Sequence, residues 1–86
     1  MDISYSDGRT VKNAVVCIWE DLNTEARGNW VRAFWAASPE ADSGSPVIGY
    51  CSSGGSHRTI IAAAREVWRH HPDARVFRNG REILSA

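Results

Sequence analysis

Apolar and polar side chains alternate most clearly over residues 29–37. Trp30, Arg32 and Phe34 fall on one side, and Val31, Ala33 and Trp35 on the other, which predicts a strand. Farther on the period changes. Ile60, Ile61, Ala64, Val67, Trp68 and His71 share one face of a helix predicted over 57–71, with Ser56 as its N-cap and Pro72 as its stop. Residues 75–84 read as a hairpin turned at Asn79-Gly80, setting Arg78 opposite Arg81, Phe77 opposite Glu82 and Val76 opposite Ile83. At the other end, Asp7-Gly8 between residues 3–6 and 9–12 has the form of a second hairpin on a two-residue turn.

Two periods compete over residues 11–26. Val11, Ala14, Val15, Ile18, Trp19, Leu22 and Ala26 fit a helical stripe with Gly28 placed as its cap. The run Val15-Val16-Cys17-Ile18-Trp19 is β-branched and aromatic, and Val16 and Cys17 lie off that stripe, so a strand at 14–20 is favoured and a helix is the alternative. Residues 38–46 form a polar loop rich in Pro, Gly and Ser, and a short strand with Gly49 as a bulge or close-packing point follows at 47–51. The expected fold is one α+β domain over residues 1–86. It is an antiparallel sheet of four to five strands with one long amphipathic helix packed on one face.

An 86-residue chain supports a total stability of only about 4–13 kcal/mol, so its four tryptophans, Trp19, Trp30, Trp35 and Trp68, weigh heavily in the core. No apolar run is long enough to span a bilayer, and the N-terminus lacks a signal-like pattern. A cytosolic protein is expected. Cys17 and Cys51 are then free thiols, open to an air-oxidation disulfide only if they lie on neighbouring strands. The zero net charge divides unevenly. Residues 1–42 hold seven acids and four bases, and residues 43–86 hold six arginines and three acids. A surface of both signs argues against a non-specific nucleic-acid coat.

Candidate chemistry is sparse. The loop Ser52-Ser53-Gly54-Gly55-Ser56 before a helix suits an anion, but it carries neither a Gly-Lys-Ser/Thr nor a GxGxxG spacing, and a capped loop explains the same residues. His57, His70, His71 and Cys51 have no metal-ligand spacing; His71 reads as a partly buried helix-end residue and His70 as a partner of Glu66. No acid–His pair orients either cysteine, so no enzyme, cofactor or metal is expected. Arg58, Arg65 and Arg69 line up within an arc of about 40° opposite the apolar face, followed by Arg75, Arg78 and Arg81 on the hairpin. A solvated helix face explains such a stripe too. With too many aromatics for a one-helix core, Trp30 or Trp35 is expected to remain exposed as an apolar anchor.

The element order, the Ser56-His57-x-Thr59 start, the Ala62-Ala63-Ala64 run and Trp68-Arg69 together resemble small phage-encoded anti-CRISPR proteins over about residues 29–84. The resemblance implies a non-enzymatic protein that occupies a surface of a CRISPR effector complex. The partner-binding residues expected from the sequence itself are Arg58, Arg65, Arg69, Trp30 and Trp35. The alternative is a small nucleic-acid-binding module using the loop from Ser52 to Ser56 and the same arginines, and a third possibility is a structural or assembly component that self-associates through a sheet edge; a monomer or a homodimer is expected.

Overall fold

In the computed structural model, which describes residues 1–4, 7–22, 29–42, 44–45, 48–51 and 59–84 and omits the side chains of Asp21, Leu22, Asn29, Trp30 and Tyr50, one helix packs on a mixed sheet. The elements run β1 (Ile3–Ser4), β2 (Thr10–Val11), β3 (Val15–Leu22), β4 (Asn29–Ala36), β5 (Gly49–Tyr50), α1 (Ile60–His70), β6 (Val76–Arg78) and β7 (Arg81–Ile83). β1 and β2 form a separate ribbon, and the other strands make one five-stranded sheet in the order β5-β4-β3-β6-β7. The fold class is therefore α+β, with one correction to the expected all-antiparallel sheet: β3 and β6 are parallel. The reason is the helix. β5 runs antiparallel to β4, and β4 to β3; α1 then carries the chain back so that β6 starts in the direction of β3 and β5, as a crossover connection does.

The central position of β3 settles the competition over residues 11–26. Val15, Val16, Cys17 and Ile18 are all buried, because both faces of this strand are covered. Such a strand reads as a continuous apolar run rather than an alternation. Val16 and Ile18 join Val31, Ala33, Trp35 and Val76 under the helix, and Ala63, Ala64 and Val67 complete that layer. On the reverse face Val15 and Cys17 pack with Phe34, Ala36 and Phe77, with Trp19 and Ala41 at the margin. Trp19 leans on Phe34 with ring centroids 3.9 Å apart. Residues 37–42 close this side, where the Cys17 thiol donates to Ser38 O at 3.5 Å.

α1 starts later than its apolar spacing suggests. Thr59 is extended (φ −135°, ψ 157°) and its Oγ1 accepts from the Ala62 N–H at 3.1 Å, so Thr59 is the cap and Ile60 the first helical residue. The expected cap, Ser56, and His57 lie outside the described residues. At the other end the His71 N–H donates to Val67 O at 2.7 Å, and Pro72 cannot extend the helix. The buried face is Ala63, Ala64 and Val67, with Ile60, Trp68 and His71 half-buried beside it. Ile61, expected on that face, is 45% exposed instead. It sits about 100° around the helix from the centre of the buried stripe, on the flank towards the β6–β7 hairpin.

The β6–β7 hairpin has the expected register, with Val76, Phe77 and Arg78 opposite Ile83, Glu82 and Arg81. Asn79 (φ 50°) and Gly80 (φ 75°) both take the left-handed backbone of a two-residue turn. A methyl group on Gly80 would meet only Glu40 Cγ at 3.9 Å, so its cost is torsional rather than steric. Gly80→Ala is expected to lose about 1–2 kcal/mol in a denaturant titration; an unchanged midpoint would rule out this turn in solution. The N-terminal ribbon pairs Ile3 with Val11 and Ser4 with Thr10, one residue away from the register of a two-residue loop at 7–8. Asp7 Oδ1 accepts from the Arg9 N–H at 3.0 Å, and this Asx-type turn lengthens the connection.

Candidate functional site

Trp35 is not an exposed anchor. It is 5% exposed and lies in the helix-side core, its ring meeting His71 edge-on at 5.2 Å. One helix laid across β3 and β4 is enough to bury it, because the odd-numbered side chains of β4 are the ones beneath α1. Trp30 is paired in the sheet with Asp21, but its side chain is outside the described residues. Arg58 and the loop from Ser52 to Ser56 also lie outside them.

The remaining expected contacts divide by their partners. Arg69 is ion-paired to Glu66, and His70 Nε2 reaches the other oxygen of the same carboxylate at 3.0 Å. Glu66 therefore occupies Arg69 within the helix. Arg65 is exposed and forms no ion pair among the described residues. The hairpin shows the same division. Arg75 donates to Glu82 at 2.5 Å and lies 5.1 Å from the centre of the Phe77 ring; this bond to Glu82 holds the Arg75 guanidinium above its usual range. Arg78 donates to Glu20 at 2.9 Å. Arg81, directly opposite Arg78, has no carboxylate among the described residues.

Of these side chains Arg78, Arg81 and Glu82 line a groove of about 700 Å³ between the first turn of α1 and the hairpin. Ile60, Ile61 and Ile83 give it apolar walls, and Arg78, Arg81 and Glu82 its polar ones. A second groove of about 340 Å³ shares Glu82 and Ile83 and continues to Trp68 and Leu84, the latter 82% exposed. The Trp68 Nε1–H donates to Ala74 O at 2.9 Å, which fixes the indole as the wall between helix and hairpin. An exposed isoleucine among uncompensated arginines is the composition of a protein-contact patch, where apolar burial supplies affinity and guanidinium groups supply orientation.

Sequence reasoning put Ile61 on the buried face and, although it noted Arg81 in the basic run of the hairpin, did not single it out as a partner contact. A late helix start and the side of the hairpin that faces the helix were needed to find them. The signal available beforehand was the expected register, which already put Arg78 and Arg81 on one face.

Neither cysteine offers a ready nucleophile. Burial, with a smaller effect of Cys17, pushes the Cys51 thiol up to about 12, and burial raises Cys17 as well; a thiolate is the reactive form. β4 stands between β3, which carries Cys17, and Cys51, whose N–H donates to Ala33 O at 3.3 Å. Two strand spacings amount to about 9–10 Å, beyond the ~7 Å a disulfide bridges, and both thiols are free. Among the described residues no three His, Cys, Asp or Glu side chains gather as a metal site, and no helix is long and apolar enough to cross a membrane. Compared with models of known families, with curated proteins and with solved structures, the chain matches none.

Proposed function

We propose that this protein is a non-enzymatic binding protein that inhibits or modulates a larger host complex by occupying one of its surfaces. The resemblance to small phage-encoded anti-CRISPR proteins makes a CRISPR effector the first target. The observation that supports this reading best is the exposed Ile61 set between Arg65 and Arg81, two cations with no carboxylate among the described residues. Three other arginines, Arg69, Arg75 and Arg78, are already tied to Glu66, Glu82 and Glu20. That leaves Arg65 and Arg81 for a partner. Trp35 plays no part in contact, and Ile61 takes over the anchor role.

A protein of this kind works at near-stoichiometric ratio and needs no cofactor. Titration against CRISPR effector complexes in a target-DNA cleavage or binding assay is the direct test. Ile61→Asp with Arg65→Glu is expected to keep the fold, since both side chains are exposed and an acid in the first helical turn suits the helix dipole. Arg65→Glu by itself lowers affinity for the complex by about 2–5 kcal/mol if Arg65 meets a buried acid at the interface, and by under about 1 kcal/mol if it sits at the rim; Ile61→Asp adds the loss of the buried apolar anchor, about 1.5–3 kcal/mol. Inhibition of no effector type at large molar excess removes the anti-CRISPR assignment. Binding to single-stranded RNA or DNA at about 50 mM salt, with a log–log salt slope near −1.4 from two phosphate contacts, would replace it with the nucleic-acid reading.

A further inference from the structure

Among the described residues no strand pairs with the outer edge of β7, which lies beside both grooves. β7 is the outermost strand next to β6. In a two-residue hairpin the pair flanking the turn, here Arg78 and Arg81, exchanges both backbone hydrogen bonds. The next pair, Phe77 and Glu82, does not, so the N–H and C=O of Glu82 point away from β6 towards the open side. Among the described residues, none of the backbone hydrogen bonds outside the paired strands involves Glu82 or Leu84. Side chains beside this edge alternate in kind. Arg81 and Ile83 share one face of β7 and line the groove beside α1, whereas the Glu82 side chain alternates to the other face, opposite Phe77, where Arg75 holds it.

We infer that β7 is a docking edge for an extended segment of the partner protein, added as an antiparallel strand and carrying an apolar-x-acidic triplet. This rests on the protein-binding reading above and deepens it. The middle residue of the triplet pairs with Glu82 through two backbone hydrogen bonds. Its apolar neighbour then lies opposite Ile83, beside Trp68 and Leu84, and its acidic neighbour opposite Arg81. Edge-strand addition takes its affinity from such main-chain bonds and its selectivity from alternate side chains. The requirement for an acid is set by Arg81, whose neighbour Arg78 is already neutralised by Glu20.

A second copy of the chain is the wrong occupant. Two β7 strands related by a twofold axis at Arg81 would set Arg81 against Arg81, and an axis at Glu82 would set Glu82 against Glu82. Like charges directly opposite oppose pairing. An axis at Ile83 leaves only the end of the strand and the residues after it in register. β7 is also only three residues long, which limits casual edge-to-edge association.

The test uses the full chain and two fluorescent nine-residue peptides of alternating Thr and Val, one with a central Ile-Thr-Glu and the other with Ile-Thr-Lys. The Glu peptide is expected to bind at least tenfold more tightly than the Lys peptide, shifting backbone amide signals of Glu82 and Leu84 in NMR spectra. Arg81→Glu is expected to reverse the preference. Glu82→Pro removes the outward N–H without touching a β6 hydrogen bond, a position where an edge strand tolerates proline; it is expected to abolish peptide binding while the circular dichroism spectrum is kept. Should Glu82→Pro disturb the spectrum, a Glu peptide N-methylated at its central Thr makes the same deletion from the other side and is expected not to bind. Equal affinity for the two peptides, no binding by either at millimolar concentration, or a concentration-dependent dimer in sedimentation that excludes the Glu peptide would overturn the inference. A Glu82→Pro protein that folds and still inhibits its complex would sink the docking edge alone. Peptide binding as expected without inhibition of any complex would sink the functional target and leave the edge standing.

Discussion

Trp35→Ala is expected to cost about 3–5 kcal/mol, a large share of the ~4–13 kcal/mol available to an 86-residue chain and most of it towards the low end of that range. The indole is 5% exposed, sits opposite Val16 in the strand pairing and meets His71 edge-on. Truncation would therefore open a cavity between β4 and the end of α1. Guanidinium titration followed by circular dichroism would show an unfolded or barely folded variant. Trp68→Ala is the informative companion. Its ring is only half-buried and its N–H is satisfied by Ala74 O, so a smaller loss of about 1–3 kcal/mol is expected. A Trp35→Ala protein that melts within ~1 kcal/mol of the wild type but no longer binds a partner would return Trp35 to the surface and refute this packing.

The second large effect is alkaline. Cys51 is raised from 9.0 to about 12, chiefly by burial, so the folded protein keeps its thiol protonated well above the pH at which the unfolded chain loses that proton. The resulting stabilisation is complete below about pH 9 and is lost as pH rises from there through about 12, because only the unfolded state gains by ionising. Each pH unit in that window removes about 1.4 kcal/mol, hence about 2 kcal/mol by pH 10.5. Cys17, also raised by burial, adds to the same trend. Denaturation midpoints measured at about pH 8, 9.5 and 10.5 should fall more steeply for the wild type than for Cys51→Ala. Parallel slopes would show that Cys51 is solvated.

Glu40 offers no comparable lever at acid pH. Its carboxylate is held below the usual range by the Ser38 hydroxyl and its own backbone N–H, but it is exposed. Water competes for the same interactions there, and the pair contributes little to folding.

What the chain alone dictated was local. Asn79-Gly80 specified the β6–β7 hairpin to the residue, because only a turn with two positive φ angles suits those residues between two short apolar strands. The alternation over 29–36 placed Val31, Ala33 and Trp35 together, as found in the helix-side core, and the spacing of Glu66 and His70 foretold their hydrogen bond. Pro72 marked the helix end. Each of these depends on groups within a few residues of one another, where turn geometry and helical or strand periodicity leave few alternatives.

Tertiary structure decided whatever depended on groups distant in the chain. The parallel pairing of β3 with β6 joins Val16 to Val76, and nothing local distinguishes it from an antiparallel pair. β3 was ambiguous for the same reason: a strand covered on both faces carries no alternation to read. Whether Trp35 or Ile61 remained exposed depended on where a single helix came to rest, since the helix shields only the stripe that faces the sheet. The candidate site was correspondingly half legible. Arg65 was named from the helical stripe, but Arg69 proved to be occupied by Glu66 and Arg78 by Glu20, 58 positions away in sequence. Charge compensation across that distance is set by strand order, which brings β3 beside β6, and that order alone left Arg81 uncompensated next to Ile61.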